Sequence, residues 1–202
     1  MNYKSHLQKD SKLGAAIAAQ PACVLSIQED LFSYLCASII GQQLSVKVAA
    51  IIRDRFFMLF HTREELAIQI LKKDLDALKS VGLSNSKAQY IKNIATFYLE
   101  QKNNWELLHS MTDDEIIEFL TQIKGVGKWT VEMLLMFAMG REDVFPDDDL
   151  GIQQSLVRLY NIKSDSKKDL KRKMQRISAK WSPYRTYACL HLWKWKDTKA
   201  PV

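Results

Sequence analysis

The chain has 202 residues, 47% of them apolar and 26% charged, which suits a soluble protein of one large domain or two small lobes and excludes a disordered chain. Its apolar stretches are broken by charge well short of the roughly 18 residues a membrane span needs, and Met1-Asn2-Tyr3-Lys4 opens no secretory leader, so a cytosolic location is expected. The formal charge of +6 suits a polyanionic partner without identifying one.

Taken in chain order, the apolar residues follow helical spacing. Leu31, Phe32, Leu35, Cys36, Ile39 and Ile40 predict one buried helix face; Val48, Ala49, Ile52, Phe56 and Phe60 predict a second. Ala88, Ile91, Ile94, Ala95 and Tyr98 predict a third. Thr112-Asp113-Asp114-Glu115 has the form of a capping box, opening a helix through Ile116, Phe119 and Leu120 that ends near Ile123. A further helix follows Gly127, and another begins near Leu150. Lys167, Lys168, Lys171, Arg172, Lys173 and Arg176 crowd one stretch whose Leu170, Met174 and Ile177 turn inward, the pattern of a solvated basic helix face, with a dedicated phosphate-binding surface as the alternative. Ser182-Pro183 reads as an N-cap followed by proline at the first helical position, starting a last helix through Tyr187, Leu190 and Trp193. No segment alternates as a strand would, so the expected fold class is all-α. Cys23, Cys36 and Cys189 sit among apolar neighbours, at spacings that suit neither a metal nor a disulfide framework; buried free thiols are expected.

Residues 120–130 carry the densest signal. Glycine at 125 and 127 permits positive φ and lets another surface approach the backbone. Behind it, the N–H groups opening the next helix lack partners in that helix and carry the positive end of its dipole. A phosphate placed there accepts backbone hydrogen bonds that ignore base sequence, and Lys128 adds a cation. A tight turn between helices needs glycine for geometry alone, so both readings stand. Likewise Asp147, Asp148 and Asp149, ahead of Leu150, suit acidic capping of the helix that follows.

Joined to their neighbours, these residues resemble a known family. Gly125-Val126-Gly127-Lys128-Trp129-Thr130, followed by Asp143-Val144-Phe145-Pro146-Asp147-Asp148-Asp149-Leu150-Gly151, is similar to the hairpin (about 118–139) and catalytic loop of the helix-hairpin-helix, or HhH-GPD, DNA glycosylases. Ile39-Ile40-Gly41-Gln42-Gln43-Leu44-Ser45 resembles the family's segment that enters the minor groove. Leu78-Lys79-Ser80-Val81-Gly82-Leu83-Ser84, through Lys87-Ala88, resembles a second backbone-contacting turn. Trp181-Ser182-Pro183-Tyr184-Arg185-Thr186-Tyr187-Ala188 with His191-Leu192-Trp193 resembles the C-terminal signature of the alkylpurine branch, the AlkA-like 3-methyladenine DNA glycosylase II proteins. The likeness spans about residues 30–195. It implies one glycosylase unit over residues 1–202, two helical lobes with the active-site cleft between them, no N-terminal β domain, and a core beginning by about residue 30.

The resemblance also implies roles. Asp149 aligns with the essential aspartate, with Asp147 and Asp148 as adjacent alternatives. Gln43 is the residue inserted where a base is extruded, with Leu44 and Ser45 beside it; a polar break between two helices is the plainer account. Gly82, Ser84, Lys87, Gly125, Val126, Gly127, Lys128 and Thr130 contact the DNA backbone. Trp129, Trp193 and Met133 wall the base pocket, although Trp193 and Met133 also suit a core. Tyr184, Tyr187 and Trp195 are packing residues. No iron-sulfur cluster is expected, since only Cys189 lies in the C-terminal half. Bifunctional members carry a nucleophilic lysine two residues after the second hairpin glycine; this chain has Trp129, and Lys128 lies about 100° away around a helix.

The implied enzyme is therefore a monofunctional base-excision glycosylase that cleaves the N-glycosidic bond of alkylated purines, of the 3-methyladenine and 7-methylguanine type, without strand cleavage. The alternatives are a non-catalytic DNA-binding module, for which a carboxylate beside a polyanion serves nothing, and a glycosylase for another damaged base. The expected partner is double-stranded DNA containing damaged bases, bound by a monomer in the bacterial nucleoid or the nucleus, with no membrane. No metal or cofactor is expected beyond a monovalent cation on the hairpin carbonyls, which some family members hold.

Overall fold

The computed structural model describes residues 2–60 and 65–197. All regular elements among them are helical. In chain order they are α1 (Tyr3–Leu7), α2 (Ser11–Ile17), α3 (Leu31–Gly41), α4 (Val46–Met58), α5 (Leu66–Lys72), α6 (Leu75–Lys79) and α7 (Asn85–Glu100). Then come α8 (Lys102–Glu106), α9 (Asp113–Leu120), α10 (Lys128–Phe137), α11 (Leu150–Tyr160), α12 (Lys167–Ser178) and α13 (Arg185–Asp197). No described helix is long and apolar enough to cross a membrane. The chain separates into two compact units, Gln28–Leu134 and Met1–Ile27 with Leu135–Val202, and the division falls inside α10.

In the unit Gln28–Leu134, α7 is the centre. Ala88, Ile91, Ile94 and Ala95 are fully buried, as their spacing predicts, and α3, α5, α6 and α8 pack on it. Leu35, Cys36, Ile39 and Ile40 of α3 are buried just as completely. Each buried Leu or Ile contributes about 1.5–3 kcal/mol, and burial pushes the Cys36 thiol pKa up. Both halves of the Thr112–Glu115 capping box are present at the start of α9.

The second predicted face is only half realised. Phe56 and Phe60 are buried with their rings 5.2 Å apart, but Ala49 and Ile52 are half-buried and Val48 is 42% exposed. Burial in α4 is confined to its C-terminal half. Its first two turns, directly after Gln43, leave Val46 and Ile51 in solvent as well.

In the other unit the first two helices contribute to the buried core. Leu7, Leu13 and Ile17 are buried, and α2 packs against α11 and α13. Tyr3 stacks on Tyr187 with ring centroids 4.1 Å apart, and Asp10 both caps α2 and accepts from Trp181 Nε1 (3.3 Å). His191 is fully buried beside Gln20 Oε1 (2.8 Å) and Tyr3 Oη (3.3 Å). Met174 of α12 is buried and Lys167, Lys168, Arg172 and Arg176 are exposed, as expected, but Lys171 and Lys173 are half-buried in ion pairs with Asp148 and Asp169, and Leu170 and Ile177 are only half-buried. All three cysteines are buried and none is in a disulfide.

The last helix departs from the local signal. α13 begins at Arg185, and the cis Ser182–Pro183 bond lies in the preceding turn. The reason is a distant carboxylate. Asp143 accepts the Arg185 N–H (3.1 Å), the Arg185 guanidinium (2.8 and 2.9 Å) and the Ser182 hydroxyl (2.8 Å), so Ser182 donates to Asp143 instead of capping. Burial opposes the Asp143 charge, but the bonds from Arg185 and Ser182 outweigh it and hold its pKa below the usual carboxylate range.

Candidate nucleic-acid interface and carboxylate site

α3 ends at Gly41, and a short turn leads into α4. Gln43 occupies the left-handed region at φ 59°, which costs a residue other than glycine roughly 1–2 kcal/mol. Gln43, Leu44 and Ser45 are all exposed. Such a conformation persists only where surrounding bonds impose it, and here they do. The Leu44 N–H donates to the Gly41 carbonyl (3.2 Å). Lys87 Nζ donates to the carbonyls of Ile40 (2.9 Å) and Gln42 (2.7 Å), and Gln42 Nε2 donates to Thr130 Oγ1 (3.1 Å). Ser45 caps α4 by accepting from the Val48 N–H.

The turn between α6 and α7 presents Gly82 at φ 108°, where an added Cβ would lie 3.2 Å from Ile52 Cγ1. Ser84 caps α7 through the Lys87 N–H (3.2 Å). The Lys87 ammonium therefore serves protein carbonyls, and its burial lowers its pKa.

α9 ends at Leu120, earlier than expected, because Thr121 Oγ1 bonds back to the Ile117 carbonyl (2.6 Å) and tight turns at Ile123 and Val126 take over. Gly125 stands at φ 105°, and a Cβ there would lie 2.2 Å from Tyr90 Cγ. Gly127 is different: its φ is ordinary, and a Cβ would meet nothing within 4 Å. Asn93 Nδ2 ties the loop to α7 through the Lys124 carbonyl (2.9 Å). Val126 in the loop and Thr130 and Met133 on α10 are buried, and Trp129 is 39% exposed. Lys128 is exposed and lies 3.3 Å from buried Glu132.

The other unit holds the aspartates. Residues 141–149 are fixed to α13: the Thr186 hydroxyl donates to the Arg141 carbonyl (2.6 Å) and accepts the Val144 N–H (3.0 Å). The three acids then separate by environment. Asp147 is buried and accepts from Gln175 Nε2 (2.9 Å), with Lys171 3.6 Å away. Asp148 is exposed and pairs with Lys171 (2.5 Å) and Lys167 (3.5 Å); the Lys171 bond holds its carboxyl pKa below the usual range. Asp149 caps α11. Its Oδ1 accepts both the Ile152 N–H (2.8 Å) and the Trp193 indole N–H (2.8 Å). Trp193 is half-buried and stacks on Phe137, centroids 5.9 Å apart. Gly151 clears the space, since a Cβ there would lie 3.0 Å from Trp193 Cδ1 and 3.1 Å from Asp149 Oδ1.

One unit thus links Lys87 and Thr130 through Gln42, next to Gln43 in the chain, and the other brings Asp149 and Trp193 together. Trp129 and Met133 lie on α10 in the hairpin's unit. Sequence reasoning passed over Gln42, Tyr90, Asn93 and the Asp143–Arg185 pair. Their partners are distant in sequence, and no local pattern marks them. Among the described residues, no group of three His, Cys, Asp or Glu side chains is arranged to hold a metal ion.

Residues 36–180 match the model of the HhH-GPD superfamily of base excision DNA repair proteins. The DNA-3-methyladenine glycosylase 1 of Schizosaccharomyces pombe is 35% identical over 83% of this chain and 73% of its own length. The solved structure of a DNA-3-methyladenine glycosidase from Bacillus halodurans superposes with a TM-score of 0.80 and 35% identity, covering 96% of this chain and 88% of that one. The Schizosaccharomyces pombe 3-methyladenine DNA glycosylase in complex with abasic DNA gives a TM-score of 0.79 at 28% identity, with 96% of both chains covered. With the hairpin, the loop that follows it and the all-helical fold in place, this chain belongs to the HhH-GPD superfamily of base excision DNA repair proteins.

Proposed function

We propose that the chain is a monofunctional DNA glycosylase that hydrolyses the N-glycosidic bond of alkylated purines, of the 3-methyladenine and 7-methylguanine type, in duplex DNA. The observation that carries this reading is the Asp149 carboxylate, oriented by two hydrogen bonds to one oxygen in a loop fixed to α13. Departure of the base leaves positive charge on the sugar, as in other glycoside hydrolyses. A preoriented carboxylate stabilises that charge without having to reorganise, and it can also orient or deprotonate the attacking water. An alkylated purine already carries positive charge and leaves with little protonation, so one carboxylate suffices. The names of the relatives support this substrate class.

The other residues fit the same reaction. Exposed Gln43 and Leu44 replace the extruded base, whose unstacking costs a few kcal/mol. Open space at Gly127 admits a phosphate to the start of α10. Trp129 offers an indole face to a cationic base, and its presence where bifunctional relatives carry lysine supports hydrolysis without strand cleavage. The partner is damaged duplex DNA, bound by a monomer.

Incubation with methylated duplex DNA tests the reading. Free methylated purine should appear, with strands intact until alkali or heat is applied. Asp149→Asn should slow release at least about 100-fold while still binding an abasic-site duplex. Direct nicking with a borohydride-trapped adduct would refute the monofunctional assignment, and parent-like release by Asp149→Asn would refute the site.

A further inference from the structure

The N-terminal half of α7 serves as a common ruler for the exposed turns of its unit. At three-residue intervals it carries Ser84 as N-cap, Lys87 on the Ile40 and Gln42 carbonyls, Tyr90 against Gly125, and Asn93 on the Lys124 carbonyl. The Gln43 turn and the hairpin are therefore fixed to one helix. They are also joined directly, through Gln42 Nε2 and Thr130 Oγ1 at 3.1 Å.

Lys87 is the unexpected member. A lysine beside an exposed Gly82 turn reads in the sequence as a phosphate ligand. Its ammonium instead completes the end of α3, where the last carbonyls of a helix lack partners within that helix, and a cation there also complements the helix dipole. The two carbonyls it holds flank Gly41 and immediately precede Gln43, the residue in left-handed backbone. Releasing them frees the chain on the N-terminal side of Gln43 to leave a conformation it does not otherwise favour.

We propose that Lys87 and Gln42 are positioning residues that lock the Gln43–Leu44 turn in its inserting conformation and in register with the hairpin, rather than ligands of DNA phosphate. This inference rests on the reading of Gln43 as the residue that fills the gap left by an extruded base. Affinity for undamaged duplex then depends on the phosphate-contacting backbone, whereas preference for a gapped stack depends on Lys87 and Gln42.

The test uses the full chain and two duplexes, one undamaged and one with a tetrahydrofuran abasic analogue opposite 2-aminopurine. Lys87→Met keeps the stem and removes the donors. It should lower the preference for the abasic duplex about tenfold, the scale of a hydrogen bond to a charged group, and weaken the 2-aminopurine response. The salt dependence of binding to undamaged duplex should stay at the parent slope. Lys87→Arg should retain most of the preference, and Lys87→Met should add nothing to Gln43→Ala. A salt slope smaller by about one phosphate contact, with preference unchanged, would make Lys87 a phosphate ligand and overturn the inference. So would a full Lys87→Met effect in the Gln43→Ala background. If Lys87→Met does not fold, Gln42→Ala carries the test: the same loss of preference supports the lock, and parent-like preference overturns it. Gln43→Ala with parent-like preference instead removes the inserting role itself, a result distinct from Gln43→Ala failing while Lys87→Met and Gln42→Ala do not.

Discussion

The two hairpin glycines should fail in different ways when each receives a methyl group. At Gly125 the added carbon lies 2.2, 2.3 and 2.7 Å from three atoms of the Tyr90 ring, on a backbone at φ 105°. The backbone strain costs roughly 1–2 kcal/mol, and forcing the ring aside costs about 1–3 kcal/mol more. A total near 3 kcal/mol lowers the melting temperature of a chain this size by about 6–12 °C. At Gly127 the backbone is ordinary and nothing lies within 4 Å, so Gly127→Ala loses at most about 1 kcal/mol, from a poorer helix start. Its effect falls on binding, because the methyl group occupies space through which a phosphate would reach the opening of α10. Circular dichroism melts of both variants, with duplex titrations at one fixed salt concentration, separate the two effects. Adding Tyr90→Ala to Gly125→Ala removes the collision and should make the pair strongly non-additive. If Gly127→Ala melts as low as Gly125→Ala, or binds duplex as the parent does, the division of labour argued for these glycines is wrong.

Other expectations follow from the carboxylate site and the buried histidine. Trp193→Phe keeps a ring on Phe137 but removes the N–H that reaches Asp149; single-turnover base release should slow about tenfold or more, and a rate within twofold of the parent would deny the indole any part in placing the carboxylate. Gly151→Ala pushes on both ends of that bond; release should slow by a similar factor while the melting temperature holds or rises, since alanine favours a helix by about 1 kcal/mol. Burial, with Lys194 and Lys4 nearby, lowers the His191 pKa to about 4. An imidazole held neutral in the fold contributes its full stability above the unfolded value of about 6.5 and loses it as pH falls toward 4. Between pH 7 and pH 5 urea denaturation should reveal a loss of about 2 kcal/mol. His191→Gln should flatten that slope, and an equal slope in the variant would assign the loss to other groups.

What could be read from the chain and what could not divide along sequence distance. α3 and α7 were legible because each buries one continuous face against its own unit, and a 3.6-residue period records that directly. α4 shows the same period but leaves Val48 and Ile51 in solvent, because the period reports an apolar stripe and not whether the fold supplies a surface to cover it. Ser182-Pro183 carried a sound local signal for a helix start. It lost to the Asp143 carboxylate, which lies 42 residues from Arg185 and satisfies the same backbone group with a bidentate partner attached. Gly125 was legible as a turn, but its need for Tyr90 was not.

Asp149 is where the two kinds of information meet. From the residues alone, an acid ahead of Leu150 was either a helix cap or a chemical group, and choosing the second rested on resemblance. In the fold these are not alternatives. The cap bond to the Ile152 N–H and the Trp193 N–H, from 44 residues away, converge on the same oxygen. The local preference of aspartate for an N-cap thus supplies one of the two constraints that orient the carboxylate. The distant indole supplies the other, and Gly151 keeps the space in which they meet. A carboxylate held this way has lost rotamer freedom that a reaction would otherwise have to remove, so under the proposed function capping is part of how Asp149 is prepared for its chemistry. Glutamate at 149 keeps the charge but lengthens the side chain beyond both donors, and it should release base more slowly than a charge count alone would allow.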